Sequence, residues 1–181
     1  HQELKETHAE VKTVAIIADI RDETRMKRVF EKFTPKIVFH AAAHKHVPLM
    51  EENVEEAVTN NIIGTRNVAR LCKEFEVEHL VMISTDKAVH PINMMGASKR
   101  FAEMVVLDES RKAIGDFSIV RFGNVLGSRG SVVPIFKQQI VRGGPITITH
   151  PEMKRYFMTI PEAVYLVLQS ATFSENGDIF I

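Results

Sequence analysis

Ser84-Thr85-Asp86-Lys87 sets two hydroxyls, a carboxylate and an amine in consecutive positions. They follow Leu80-Val81-Met82-Ile83, an apolar run that reads as a buried strand. Hydroxyls can orient a substrate hydroxyl, while a neighbouring carboxylate and amine can move protons if their pKa values are shifted. Further along, Met95 and Lys99 stand four apart, so on a helix they share a face. A lone pair of this kind usually means packing beside a solvated charge. The wording Met95-Gly96-Ala97-Ser98-Lys99, downstream of the Ser-Thr-Asp-Lys run, argues instead for a site to which Lys99 brings positive potential.

Two more segments end strand-like runs with small or polar residues: Asp19-Ile20-Arg21-Asp22 and His40-Ala41-Ala42-Ala43. Ligands of open parallel sheets bind beyond the carboxyl ends of the strands, and small residues there let a flat cofactor approach the backbone. Asp19 can accept a hydrogen bond from an adenine amino group. Alone it reads as a turn or cap residue; the coincidence with Ala41, Ala42, Ala43 and Ser84 favours a ligand. His40 and His44 have zinc-like spacing, but they follow a strand and no cysteine or Glu-rich partner is near. No metal is expected. His44, Lys45 and His46 line a pocket or cap the strand end.

These residues need a scaffold, and strand-like and helix-like segments alternate throughout. Strands are expected at Thr13–Ala18, Ile37–Phe39, Leu80–Ile83, Phe117–Phe122 and Ile179–Ile181. Helices are expected from Asp22 to Phe33 with Asp22 as N-cap, and from Val54 to Phe75 with Asn53 and Glu56 as a capping box. Another starts near Asn93 and carries Met95, Lys99 and Glu103 on one side; a last one follows the Thr159/Glu162 capping box through Ala171. Continuous apolar strands alternating with helices indicate an α/β fold, a parallel sheet covered on both faces. Beyond Gly123, glycines and prolines break the pattern, as expected where a sheet gives way to a substrate-binding region.

With 181 residues, 45% of them apolar, the chain can bury a core as one domain. Lys+Arg and Asp+Glu both number 23, so no global basic field points to nucleic acid. The single cysteine, Cys72, allows no internal disulfide. No apolar run reaches the about 18 residues of a membrane span, and no signal peptide is evident.

Together, Ala18 to Asp22, His40 to Pro48, Ser84 to Pro91, Met95 to Arg100, Arg121 to Val125 and Gly127 to Pro134 resemble the extended short-chain dehydrogenase/reductase superfamily. Within it, the chain resembles nucleotide-sugar 4,6-dehydratases of polysaccharide biosynthesis, the capsule-protein type. The family's usual tyrosine is replaced by Met95, as in its long, membrane-anchored branch. The resemblance implies a Rossmann-like NAD-binding region at 1–123 and part of a nucleotide-sugar-binding region at 124–181.

It also implies roles. NAD, with NADP as the alternative, takes a hydride from sugar C4; the ketone acidifies C5-H, water leaves from C6, and the hydride returns there. Asp86 protonates the departing C6 hydroxyl, Lys87 takes the C5 proton, Thr85 holds the C4 hydroxyl and Lys99 holds the nicotinamide ribose. Met95 can move no proton, so the C4 proton leaves through Thr85 and water or a substrate group. Asp19, Ile20, Ala41, Ala42, Ala43 and Ser84 are implied around the cofactor. His44 and Lys45 are expected at the sugar. Asn124, Ser128, Arg129, Ser131, Lys137 and Arg155 are expected at the diphosphate, although Arg155 reads equally as a surface charge and Lys137 reads more readily as solvent-facing.

The family's glycine-rich phosphate loop is absent from these residues, so the chain is read as part of a larger protein. By itself it is expected to bind NAD weakly or not at all. A UDP-sugar substrate, a homo-oligomer and a cytoplasmic location are expected, the last with the alternative of a cytoplasmic domain of an inner-membrane protein anchored by segments outside this chain. Two other functions stay open on this scaffold: a nucleotide-sugar epimerase, which needs no C6 elimination, and a non-catalytic binding or assembly protein.

Overall fold

The computed structural model describes residues 2–128, 132–148 and 150–181. Its strands are β1 (Ile37–His40), β2 (His79–Thr85), β3 (Asp116–Phe122), β4 (Asn124–Val125), β5 (Phe157–Met158) and β6 (Ile179–Phe180). A four-stranded parallel sheet runs in the order β1-β2-β3-β6, and β4 pairs with β5 in a separate parallel pair. The expected α/β architecture is therefore present.

Leu80-Val81-Met82 is apolar on both sides because β2 is interior. Side chains alternate along a strand, so Leu80 and Met82 join a core with Phe30, Leu71, Val106, Phe117 and Ile119, while Val81 joins Val120, Val167 and Ala171. The first core is roofed by helices α2 (Glu23–Phe33), α5 (Thr65–Glu74) and α6 (Met94–Ser110), the second by α8 (Ile160–Phe173). Truncating Leu80, which is fully buried, to Ala costs about 2–5 kcal/mol.

Local sequence sets the helix starts. Asp22 accepts from the Arg25 N–H, Asn93 accepts from the Gly96 N–H, and Thr159 and Glu162 form the anticipated reciprocal box. Other expectations are corrected. Thr13–Ala18 carries no strand: a parallel strand needs a ladder partner, and none is found among the described residues, leaving Val14 and Ile17 exposed. The helix expected from Val54 to Phe75 is instead a short turn, α4 (Val54–Glu56), then a π-helical stretch, Ala57–Gly64, then α5. Asn53 does not cap it; its amide donates to the Leu49 carbonyl, one turn back in α3 (Val47–Glu52). That helix, α7 (Val132–Val141) and the β4–β5 pair lay outside the sequence expectation, as did the short N-terminal α1 (Gln2–Thr7). Among the described residues no helix is long and apolar enough to cross a membrane.

Candidate active site

β2 ends at Thr85, and the chain tightens at once into a single 3₁₀ turn, Asp86–Ala88. Thr85 starts that turn, its Oγ1 accepting from the Lys87 N–H at 3.3 Å and donating to Asp86 Oδ1 at 2.9 Å. Lys87 Nζ donates to the same carboxylate oxygen at 2.9 Å and to Asn124 Oδ1 at 3.4 Å. Burial raises the Asp86 pKa, but hydrogen bonds from Lys87 and Thr85 outweigh it and hold the carboxyl below its ordinary value. An acid at rest needs the opposite direction, so here Asp86 is an ionised acceptor.

The turn is pressed against α6. A methyl group at Gly96 would stand 2.5 Å from the Lys87 carbonyl oxygen, so only glycine admits this approach. Met95 is buried, packed with Met50 and Ala57 and flanked by Val47 and Met94. One turn later Lys99, only 6% exposed, donates from Nζ to the Ile83 carbonyl at 2.7 Å. Burial pulls its pKa down to about 8 against the opposing pull of the Glu103 charge.

The strand end after β1 is fixed from the π-helical stretch. Asn61 is fully buried; its side chain accepts from the His44 N–H and donates to the His44 carbonyl and to Ser98 Oγ, while Asn60 donates to the Ala42 carbonyl. Extra helical residues of the π type put both amides toward the loop, a device common at functional sites. His40 is buried and hydrogen-bonded with Thr65 Oγ1 at 2.9 Å. Burial, with a smaller contribution from the Lys99 charge, depresses its pKa to about 4, so it is neutral.

One cavity of about 490 Å³ collects much of the expected site: Ala41, Ala43, His44, Lys45, Ser84, Thr85, Lys87, Met95, Lys99, Asn124 and Ser128. Asp86 stands at its edge through Thr85 and Lys87. Others lie elsewhere. Ile20 and Ala42 line a neighbouring cavity of about 370 Å³, with Ala41 common to both. Asp19 is exposed and its carboxylate is taken by Arg21, through Nε, Nη2 and the backbone N–H, which lowers its pKa to about 2. The adenine contact expected of Asp19 therefore meets an occupied acceptor. The Ser84 hydroxyl is likewise engaged, donating to Glu103 at 2.5 Å. Lys137 and Arg155 are exposed and line neither cavity, because they sit on α7 and on the loop before β5; the Arg155 guanidinium donates to its neighbour's carbonyl. Arg129 and Ser131 lie outside the described residues.

Sequence reasoning missed Asn60, Asn61, Gly96 and Arg121. The only signal for the first two was a polar pair inside an apolar helical pattern. Nothing local distinguishes Gly96 from any helical glycine.

The chain is similar to known proteins in sequence and in fold. The family described as "Polysaccharide biosynthesis protein" matches residues 1–181. "Capsular polysaccharide biosynthesis protein CapD" of Staphylococcus aureus is 58% identical over 184 residues, which covers all of this chain and 31% of that protein. The chain thus spans under a third of that relative. A "UDP-glucose 4-epimerase" of Rickettsia bellii is 44% identical over 147 residues, covering 80% of this chain and 43% of that protein. Among solved structures, Pen from Bacillus thuringiensis superposes with a TM-score of 0.89 at 36% identity, over 98% of this chain and 56% of that one. The Thermus thermophilus UDP-glucose 4-epimerase, in complex with NAD, shares the fold at a TM-score of 0.79 and 24% identity, over 90% of this chain and 60% of that one. The chain belongs to the polysaccharide biosynthesis protein family.

Proposed function

We propose that the full-length protein is an NAD-dependent nucleotide-sugar 4,6-dehydratase acting on a UDP-sugar of the UDP-N-acetylglucosamine type. The observation that carries this reading is the Thr85–Asp86–Lys87 turn, which holds a hydroxyl, a carboxylate and an amine in hydrogen-bond contact at the edge of one cavity. Ketone formation alone needs no such acid–base pair; elimination does.

The residues fit a nicotinamide at this cavity. Lys99 brings an ammonium whose single hydrogen-bond partner among the described residues is the Ile83 carbonyl, leaving two donors for a ribose. Ala41 and Ala43 leave the wall open to a flat ring. When bound, that group supplies a reversible hydride acceptor. Asn124 and Ser128, which line the same cavity, offer donors to the sugar nucleotide.

The protons can be followed on the chain's own atoms. Thr85 holds the C4 hydroxyl and passes its proton to the ionised Asp86, with which it is already hydrogen-bonded. Asp86, now an acid, gives the same proton to the departing C6 hydroxyl, and water leaves. Lys87, paired at rest with Asp86, sheds one proton to solvent once Asp86 is neutralised, takes the C5 proton as the resulting amine and returns it, and is reprotonated when Asp86 ionises again. One water is lost and no proton is consumed overall, so the site works without a tyrosine at Met95. The low resting pKa of Asp86 is what this order requires.

Incubation of the full-length protein with UDP-N-acetylglucosamine, followed by mass spectrometry, is expected to give a product lighter by one water. Lys87→Ala is expected to cost about 10²–10⁴ in turnover while circular dichroism stays unchanged; full turnover in that variant rejects the mechanism. The second reading, a 4-epimerase, is favoured by the Rickettsia relative and predicts a product of unchanged mass.

A further inference from the structure

Glu103 is a fully buried carboxylate, and the chemistry described above does not use it. Each of its oxygens takes two donors: Oε1 from Ser84 Oγ at 2.5 Å and Arg121 Nε at 2.9 Å, Oε2 from Arg121 Nη2 at 2.6 Å and Arg100 Nη1 at 3.1 Å. A carboxylate offers about four acceptor sites, so this one is saturated. Its donors come from three elements, β2, β3 and α6, and two of them, Ser84 and Arg121, are register partners in the β2–β3 ladder.

Lys99 stands one helical turn before Glu103. A lysine and a glutamate four apart on a helix ordinarily pair directly. Here the Arg121 fork, Arg100 and Ser84 fill the carboxylate, and Lys99 donates instead to the carbonyl of Ile83, the residue before Ser84. Helix α6 is thus tied to two successive residues of β2, immediately before Thr85. We propose that Glu103 is the positioning residue of this site: its saturated carboxylate anchors α6 to the last rungs of the β2–β3 ladder, and so keeps the Lys99 ammonium in the cavity, at a fixed place relative to the Thr85 hydroxyl. The proposal rests on the dehydratase reading for its catalytic consequence, though not for its geometry.

Glu103 has an electrostatic share as well. Lys99 donates to the Ile83 carbonyl, shares its cavity with Ser84 and Lys87 and with His44, Lys45 and His46 of the loop after β1, and lies within electrostatic reach of the neutral His40 of β1. Burial discourages its positive charge, and the Glu103 charge is the influence that opposes this.

Removing Glu103 alone would leave Arg121 buried without a partner, and the fold could fail for that reason. The decisive variant is therefore the double replacement Glu103→Met with Arg121→Met in the full-length protein, since exchanging a buried ion pair for apolar groups of similar volume is often neutral or stabilising. Stability is expected to match the parent within a few degrees of Tm, whereas kcat/KM falls by roughly tenfold or more, as misplacement of a catalytic group does. The alkaline limb of the rate profile is expected to move to lower pH, and Lys99, followed by NMR in protein labelled at the lysine ε-carbon and assigned with Lys99→Arg, is expected to titrate at lower pH too. Recovery of kcat/KM along with stability, with the limb and the Lys99 titration unmoved, would show a purely structural ion pair and overturn the proposal. If the parent protein releases no water from the UDP-sugar, the dehydratase reading falls, and the Lys99 titration still decides the role of Glu103.

Discussion

The side-chain amide of Asn61 holds the backbone of His44 from both sides, accepting from its N–H at 2.8 Å and donating to its carbonyl at 3.0 Å. The cavity loop after β1 therefore takes its shape from the π-helical stretch and not from its own sequence. Asn61→Ala leaves two backbone groups and the Ser98 hydroxyl short of a partner, at about 1–3 kcal/mol. The expected result is a lower urea midpoint and a raised KM for the nucleotide sugar, measured on one preparation. An unchanged KM would remove the loop from the binding site.

Gly96→Ala tests the contact between α6 and the reactive turn. Its new methyl meets the Lys87 carbonyl, a backbone atom that can yield only if the Asp86–Ala88 turn moves. Displacements of this size cost up to about 10²-fold in rate. A fall in kcat of at least tenfold with the cooperative thermal transition preserved is the expected outcome.

Thr85→Val removes the hydroxyl between substrate and Asp86 while keeping the branched shape of the side chain. Loss of about 10²-fold in turnover is expected. Single-turnover measurement of hydride transfer should show the same loss, since the C4 proton leaves in that step. A variant slowed only in water release would route the proton elsewhere.

Met95→Tyr would not rebuild a tyrosine site. Met95 is 4% exposed and packed among Met50, Ala57 and Val47, so the larger ring overfills the space. Destabilisation of about 1–3 kcal/mol is expected in chemical denaturation.

Two pH dependences follow from buried basic side chains. Lys99 has its pKa lowered to about 8 by burial, so its ammonium is present below that pH and is lost as pH rises through it. Turnover is expected to fall on that alkaline limb, and Lys99→Arg to remove the limb along with most activity.

His40 has its pKa depressed to about 4 from 6.5 by burial. The unfolded chain then binds more protons between those values, so stability is full above about pH 6.5 and declines as pH falls toward 4. The whole effect is about 3 kcal/mol. Urea titrations of the parent and of His40→Gln at pH 7.5 and 4.5 should show a smaller acid loss in the variant.

Much of this protein is legible without coordinates. The runs at Leu80–Ile83 and Phe117–Phe122 are strands because their apolar, β-branched residues suit a sheet covered on both faces, and Ile37–Phe39 is a strand at the sheet edge with Ile37 and Phe39 exposed. Asp22, Asn93 and Thr159 start helices because a short polar side chain satisfies a free N–H within three residues. Thr85, Asp86 and Lys87 meet because they are consecutive, and Lys99 joins Met95 in the same cavity because a helix repeats its face every fourth residue.

Relationships across long sequence separations were decided only by tertiary structure. Thr13–Ala18 has the composition of a strand, yet a strand depends on a ladder partner that composition does not contain. Even between near neighbours the fold sets the geometry: Asp19 has the right chemistry for an adenine, and its exposed carboxylate is hydrogen-bonded by Arg21, two residues on. Asn61 and His44 lie 17 residues apart, Glu103 and Arg121 lie 18 apart, and a π-helical turn shifts the phase that would have foretold the first pairing. Local sequence determines which groups can do chemistry and how each element begins. Burial, hydrogen-bond competition and the approach of separate elements determine which of those groups remain available to a substrate.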